Sequence, residues 1–197
     1  MARKVGNLLA LAVLAALLER PMHPYEIAST LRERGKVRDM DLKISSLYTV
    51  VRNLDRHGLV EAAGSERQGA RPERTVYRIT PAGREELEDW ERELIATPVT
   101  EQSRFKAALS VLGVLPPDEA ARLLRLRLRA LEEHLTGLRG ALDAHLTGVP
   151  RLFLLEDEYE LAQREAEAAW VRALVAELDD ATFPGLAEWR AYHKEEK

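Results

Sequence analysis

The chain has 197 residues, enough for one large or two small domains, and its 46% hydrophobic and 31% charged residues are those of a globular protein. It contains no cysteine, which excludes a disulfide framework, an iron–sulfur cluster and a cysteine-ligated zinc site. The net charge of −4 is uneven, because residues 1–84 contain 15 Lys and Arg against 9 Asp and Glu, and residues 85–197 contain 14 against 24. Residues 1–84 therefore have a net charge of +6 and residues 85–197 a net charge of −10. This distribution favours contact with nucleic-acid phosphates by the first part alone.

An apolar segment follows Arg3 and Lys4 near the N-terminus. It predicts a helix over about residues 5–19 that is apolar on nearly all sides and therefore buried. Secretion signals also combine a basic start with an apolar stretch, but this segment is too short to span a bilayer and runs directly into an amphipathic helix. We therefore interpret it as a core helix, and we expect a cytoplasmic protein without membrane contact.

Two amphipathic helices are predicted next. The first begins at His23, with a proline in its first turn where a missing N–H costs nothing, and ends at Gly35. The second begins at Ser45 or Ser46, either of which can accept a backbone N–H as the cap, and ends at Gly58. The apolar residues of this third helix of the chain form one stripe at helical spacing: Leu47, Val50, Val51 and Leu54.

The period then changes to that of a β-hairpin. Residues 59–62 are a short strand candidate, and residues 75–80, rich in β-branched and aromatic types, are a better one. The polar connection between them, residues 64–74, contains two glycines, a proline and three arginines. Three helices followed by such a hairpin is the order of a winged helix-turn-helix, in which the third helix enters the major groove and the hairpin, or wing, lies along the minor groove.

This arrangement predicts a DNA-contacting surface. The outward face of the third helix carries residue types that hydrogen-bond to phosphate oxygens and base edges. They are Ser46, Tyr48, Thr49, Arg52, Asn53 and Arg56. The wing supplies Arg67, Arg71 and Arg74. Each feature alone also fits a solvated helix face or a soluble loop, and their combination in the basic part of the chain favours DNA.

The remainder is predicted to be helical, over about residues 81–95, 102–112, 118–146 and 151–178, with a short terminal helix after these. Thr80 caps the first of them, and prolines separate the others. A 4-3-4-3-4 spacing, typical of a coiled-coil seam, occurs in both long helices. The residues are Leu124, Leu128, Leu131, Leu135, Leu138 and Leu142 in one, and Leu155, Tyr159, Ala162, Ala166, Ala169 and Ala173 in the other. We predict that the leucine seam pairs two chains; the alternative is a seam within one chain, leaving a monomer.

No catalytic or metal-binding constellation is recognisable. The five histidines are not paired with carboxylates at metal-ligand spacing, and the chain has no glycine-rich phosphate loop or nucleophile elbow. We therefore expect no enzyme activity, no metal and no cofactor. Three tryptophans, Trp90, Trp170 and Trp189, are candidates for lining a pocket for an aromatic effector, with core or dimer packing as the alternative.

Several motifs resemble the PadR family of bacterial transcriptional regulators. They are in register from Val5 to about Leu87 and comprise residues 14–18, 21–27, 46–48, 54–60 and 71–83. The helical remainder is similar in layout to the longer members, which have a C-terminal helical dimerisation domain. The resemblance implies a homodimer with two winged heads on a roughly palindromic operator, commonly a repressor released by a small and often aromatic ligand.

The resemblance also implies positions of DNA contact. Those matching the family are Tyr25, Ser46, Tyr48, Arg71 and Arg74. Where the family often has glycine before the Ser-Leu-Tyr motif, this chain has Ser45, whose side chain can crowd the phosphate or replace a backbone contact with a hydroxyl.

We therefore predict a mainly α protein with two domains. Residues 1–96 form the winged helix-turn-helix with its small β-hairpin wing and connecting helix, and residues 97–197 form a C-terminal helical dimerisation and effector domain. The predicted DNA-contacting residues are Tyr25, Lys43, Ser45, Ser46, Tyr48, Thr49, Arg52, Arg67, Arg71 and Arg74. The expected partners are double-stranded operator DNA, a second copy of the chain and a small-molecule effector. The alternative function is a protein-interaction adaptor that keeps the winged helix without binding DNA.

Overall fold

The computed structural model describes residues 5–40, 42–66, 74–99 and 103–195. The chain divides into two compact units, Met1–Thr100 and Glu101–Lys197. Each unit has its own apolar core, so each is considered by itself.

The first unit has the predicted order of helices and hairpin. The elements are α1 (Leu8–Leu17), α2 (Pro24–Glu33), α3 (Lys36–Asp39), α4 (Leu47–Arg56), β1 (Val60–Glu66), β2 (Arg74–Ile79) and α5 (Pro81–Ala96). This confirms the winged helix-turn-helix. The sequence did not predict α3, because a helix of four residues is too short to show a helical period.

Helix α1 forms the centre of the first core because it is apolar on nearly every side. Eight of its ten residues are buried, and it packs against α2, α4 and α5. This burial confirms the interpretation as a core helix. The helix begins later than residue 5 because Asn7 caps it, with Oδ1 accepting the N–H of Leu9 at 2.8 Å.

The hairpin is longer than predicted. Strands β1 and β2 are antiparallel, with Val60 opposite Ile79 and Glu66 opposite Arg74, so residues 63–66 belong to the strand and not to the connection. Their side chains are small or polar, and the backbone ladder pairs them regardless of side-chain type. A β-bulge between Ala62 and Gly64 interrupts the register.

The second unit is helical throughout its described part. Its helices are α6 (Arg104–Ser110), α7 (Pro117–His145), α8 (Leu155–Asp179) and α9 (Leu186–Glu195). Helix α8 begins at residue 155, not at 151, because a 3-10 turn over Arg151–Phe153 comes first. Helix α9 is attached by the indole Nε1 of Trp189, which donates to the carbonyl of Leu115 at 2.9 Å.

Helices α7 and α8 form an antiparallel coiled-coil hairpin. Its core contains Leu124, Leu131 and Leu135 from α7 and Ala168, Val171, Val175 and Leu178 from α8, with Leu128 packed against it. The leucine seam therefore packs within one chain, which was the alternative interpretation. The remaining seam residues, Leu138 and Leu142, are half-buried.

Interhelical ion pairs lie on both flanks of this hairpin. On one flank, Arg125, Glu132 and Arg139, seven residues apart, pair with Asp179, Arg172 and Glu165, also seven apart. On the other flank, Arg127 and His134 contact Glu167 and Glu160. The heptad spacing on both helices gives the whole hairpin one register.

The seam predicted for α8 is wrong in register. The six residues at the predicted spacing are all exposed: Leu155, Tyr159, Ala162, Ala166, Ala169 and Ala173. The buried face contains Val171, Val175 and Leu178 instead. These side chains bury more apolar area against α7 than the alanines would, and this decides which face turns inward.

Candidate nucleic-acid interface

Helix α4 has the two faces that the sequence predicted. Leu47, Val50, Val51 and Leu54 are buried in the core of the first unit. On the opposite side, Tyr48, Thr49, Arg52 and Arg56 are exposed, and Asn53 is half-buried. Because burial fixes the apolar face, the polar face is held outward, as a helix that enters a DNA groove requires.

The entry to α4 differs from the predicted serine cap. Residues Ile44–Ser46 form a 3-10 turn, and Ser46 makes no side-chain capping hydrogen bond. The N–H of Ser46 donates to the carbonyl of Lys43 at 2.9 Å, which places Ser46 in a helical conformation and not in the extended one of a usual cap. Ser45 and Lys43 are exposed beside this turn, at the end of α4 whose N–H groups favour an anion.

Tyr25 and Tyr48 are exposed at the N-terminal ends of α2 and α4, 63% and 56% respectively. His23 links these two ends. Its Nδ1 accepts the N–H of Tyr25 at 3.1 Å, and its ring lies edge-on to the ring of Tyr48, with the centroids 6.4 Å apart. The carboxylate of Glu26 completes the cap by accepting the N–H of His23 at 2.8 Å.

His23 is therefore a positioning residue that sequence reasoning missed. Histidine is outside the usual set of N-cap residues, although a neutral imidazole nitrogen can accept a hydrogen bond. The sequence feature that could have indicated this cap is the position of His23 directly before the proline that begins α2. The hydrogen bond from the His23 backbone, followed by that from Arg20, also lowers the pKa of Glu26 below its ordinary value of 4.5.

The base of the wing is attached to the segment before α2. Met22 and Tyr77 exchange two backbone hydrogen bonds of 3.0 Å, and Arg78 pairs with Glu61 across the hairpin at 2.7 Å. Of the predicted wing arginines, Arg67 and Arg71 lie outside the described residues. Arg74 is the first residue of β2, and its side chain is also outside the description.

Charge at this surface is positive. Lys43 and Arg52 are exposed, and no carboxylate of the described residues forms an ion pair with either. Arg56 donates to Oδ1 of Asn53 at 3.3 Å. Lys43 before the helix and Arg52 within it are residue types that bond phosphate oxygens.

The three tryptophans are divided between the two units. Trp90 is 5% exposed in the core of the first unit. In the second unit, Trp170 lies edge-on to Phe105 at 6.1 Å, and Trp189 packs against Phe183 at 5.9 Å. Core packing, the alternative to a ligand role, describes Trp90. Among the described residues, no group of His, Asp and Glu side chains is placed to hold a metal ion.

Comparison with known proteins matches the first unit to a family model. Residues 13–89 match the model of the transcriptional regulator PadR-like family. The matching family consists of transcriptional regulators and is not a family of enzymes, and the match over residues 13–89 confirms the PadR-like resemblance that the sequence predicted.

A curated protein and several solved structures match most of the length of the chain. The negative transcriptional regulator PadR of Bacillus subtilis (strain 168) is 22% identical over 182 residues, covering 88% of this chain and 98% of the relative. The crystal structure of Bacillus subtilis PadR in complex with operator DNA has a TM-score of 0.72 at 21% identity, covering 87% of this chain and 99% of that one.

Two further solved structures share the fold. Bacillus subtilis PadR in complex with p-coumaric acid has a TM-score of 0.69 at 22% identity, covering 87% of this chain and 98% of that chain. The Vibrio cholerae virulence activator AphA has a TM-score of 0.64 at 20% identity, covering 88% and 99%. The likeness confirms a PadR-like winged helix followed by a helical region. Within the described part of the chain, no helix combines the length and apolarity needed to cross a bilayer.

Proposed function

We propose that the chain is a homodimeric repressor that binds a roughly palindromic operator in the cytoplasm and is released by a small ligand, with aromatic compounds as the candidate class. The observation that carries the proposal is the exposed polar face of α4, held outward by four buried apolar residues and accompanied by the exposed cations Lys43 and Arg52. The first unit would bind DNA, and the second would dimerise and respond to ligand. The DNA contacts would come from the residues predicted above, including the wing arginines.

The relatives support the finer parts of the proposal. One of them is a negative transcriptional regulator, and the structures of Bacillus subtilis PadR contain operator DNA in one case and p-coumaric acid in another. A repressor that a ligand releases must bind its ligand and its operator with opposite preferences between two conformations.

We place the dimer contact on the outer face of α8. That face carries the exposed apolar stripe Leu155, Tyr159, Ala162, Ala166, Ala169 and Ala173, with Trp170, half-exposed, beside it. An exposed apolar stripe of this length needs a covering surface, and a second copy supplies a self-complementary one. A dimer that binds successive major grooves with its two α4 helices requires them to lie about 34 Å apart.

Operator binding is tested by fluorescence anisotropy with the promoter duplex of the protein's own gene. We expect Arg52→Ala to weaken binding about 5- to 150-fold, since an arginine contact to DNA is worth about 1–3 kcal/mol. Arg129→Ala, the same change at an exposed position of α7, is the control and should bind like the wild type. Affinity should fall steeply with salt. No binding to any duplex at low salt would refute the proposal, and the adaptor interpretation would then stand.

The wing and the dimer need separate tests. Replacing Arg71 and Arg74 with glutamate should abolish operator binding and leave the dimer intact in sedimentation analysis. Ala166→Glu should produce monomers at micromolar concentration, because it buries a carboxylate in the proposed contact. Ala130→Glu, at an exposed alanine of α7, is the matched control. Dimers that persist in Ala166→Glu would contradict the α8 interface.

A further inference from the structure

His23 joins the N-terminal ends of α2 and α4, which carry the exposed side chains of Tyr25 and Tyr48. Its Nδ1 accepts the backbone N–H of Tyr25 at 3.1 Å, and its ring lies edge-on to that of Tyr48. The residue before it, Met22, is held by two backbone hydrogen bonds of 3.0 Å to Tyr77 in the wing. The backbone around His23 is therefore held in place, and both contacts depend on the imidazole ring.

The capping hydrogen bond requires one protonation state of this ring. Nδ1 accepts a hydrogen bond only when it carries no proton, so the cap of α2 needs the neutral imidazole. Protonation would turn an N–H of the ring towards the N–H of Tyr25 and would add a positive charge at the end of α2 where the helix dipole disfavours one. Histidine side chains change charge between about pH 5 and 8, whereas the serine, threonine and asparagine that usually cap helices do not titrate in this range.

The charged groups that face His23 do not reverse this preference. The hydrogen bond from the His23 backbone holds the pKa of Glu26 below 4.5, and Arg20, which pairs with Glu26 at 3.3 Å, is always protonated, so both keep their charge where histidine titrates. The carboxylate attracts a protonated imidazole, but this attraction is the weakest of the interactions that shift the pKa of Glu26. Helix α4 faces the imidazole with the ring of Tyr48. Loss of the cap therefore outweighs the attraction to Glu26.

We propose that the protonation state of His23 controls operator binding, because the neutral imidazole holds Tyr25 and Tyr48 in position and protonation releases them. The inference rests on the proposed function, since it assigns both tyrosines to the DNA surface. After protonation, DNA contact must order the first turn of α2 again, which lowers the affinity by what the cap contributed. The typical contribution of a helix cap corresponds to about a fivefold change in an equilibrium constant.

The test measures operator affinity by fluorescence anisotropy at constant salt, at about pH 7.5 and about pH 5.5, on either side of the ordinary titration point of histidine. The wild type should bind about fivefold more weakly at the lower pH. His23→Asn keeps an oxygen that can accept the N–H of Tyr25 and does not titrate, so its affinity should be the same at both pH values. His23→Ala removes the acceptor and should bind more weakly than His23→Asn at the higher pH.

A control variant and a second measurement isolate the cap. His57 is the other histidine of the first unit and is exposed at the end of α4, so His57→Asn should keep the pH dependence of the wild type. Amide hydrogen exchange at Tyr25, measured without DNA and corrected for the intrinsic effect of pH, reports the capping bond directly. Protection of this amide should fall at the lower pH in the wild type and stay constant in His23→Asn.

The outcomes separate this inference from the proposed function. A wild-type affinity that is independent of pH, or a pH dependence that survives in His23→Asn, would overturn the role of His23 and leave the repressor proposal standing. Equal affinities of His23→Asn and His23→Ala at the higher pH would show that the cap does not act on DNA binding. Tighter wild-type binding at the lower pH, lost in His23→Asn, would overturn the inference by showing that the protonated ring contacts phosphate. A wild type that binds no duplex would instead refute the proposed function, and hydrogen exchange at Tyr25 would still test the cap.

Discussion

Gly83, in the first turn of α5, lies against the chain segment that follows α4. A Cβ added there would lie 2.0 Å from the carbonyl oxygen of Leu59 and 2.9 Å from Cγ1 of Ile79. Hydrogen bonds fix this approach, because the N–H of Thr80 donates to the same Leu59 oxygen at 3.1 Å and Oγ1 of Thr80 accepts the N–H of Gly83 at 3.0 Å. Rotation of a side chain therefore cannot relieve Gly83→Ala.

The expected cost follows from two opposing effects. Added atoms in a packed site cost about 1–3 kcal/mol, and a backbone oxygen as the obstacle puts this case at about 3 kcal/mol. Alanine in place of a helical glycine returns up to about 1 kcal/mol. The net loss of unfolding free energy is about 2 kcal/mol, which lowers the melting temperature of a unit of this size by about 8–16 °C.

The loss is measured by thermal unfolding, with amide hydrogen exchange of α1 peptides reporting on the first unit alone. Gly137→Ala is the matched control, since a Cβ at this position inside α7 meets nothing within 4 Å. The control should gain up to about 1 kcal/mol. If Gly83→Ala melts within about 2 °C of the wild type, the contact at Leu59 yields freely and the steric reasoning is wrong.

Two further substitutions probe the caps and the hairpin. Glu26→Ala should lower the free energy of unfolding by about 0.5–2 kcal/mol at neutral pH. Because hydrogen bonding lowers the pKa of Glu26, this stabilisation is present above pH 4.5 and disappears as the pH falls below it. A pH titration of the unfolding free energy checks the sign, with Glu26→Gln as the non-titrating control. Leu131→Ala should lose about 2–5 kcal/mol, against little for the exposed Leu126→Ala. The loss from Leu131→Ala should be the same at protein concentrations tenfold apart, because Leu131 packs within its own chain; a concentration-dependent loss would contradict that packing.

The structure of the first unit was predictable from the sequence wherever the burial of apolar residues fixed one face of a helix. In α4, the apolar stripe from Leu47 to Leu54 determines the buried side and leaves the outward polar residues by elimination. The extent of β1 was not predictable, because residues 63–66 are held by backbone pairing that their side chains do not report. The cap of α2 by His23 was missed for a related reason, since it depends on which imidazole nitrogen faces the helix.

The second unit was harder to predict, because two stripes on α8 have heptad spacing. One contains Tyr159 and a series of alanines, and the other contains Val171, Val175 and Leu178. Spacing alone does not distinguish a seam within one chain from a seam between two. The size of the side chains favours the second stripe as the partner of α7, and this leaves the first stripe exposed.

The flanking charges specify this choice more sharply than the apolar residues do. Along α7 the charges are positive, negative and positive at Arg125, Glu132 and Arg139, and each of their partners on α8 carries the opposite charge. A slip of one heptad would place Arg125 opposite Arg172 and Glu132 opposite Glu165, so like charges would oppose each other at both positions. The charges therefore disfavour the slipped register as well as stabilising the observed one.

This argument predicts the outcome of a charge exchange at the central pair, where Arg172 donates to Glu132 at 2.8 Å. Both side chains are about half-exposed, so the pair itself contributes about 0.2–1 kcal/mol. Glu132→Arg and Arg172→Glu should each destabilise the hairpin, and the double exchange should recover most of the loss. A double-mutant cycle of unfolding free energies measures the coupling. Losses that simply add would show that the flanking charges do not contribute to the register, and that the apolar core alone positions α8 on α7.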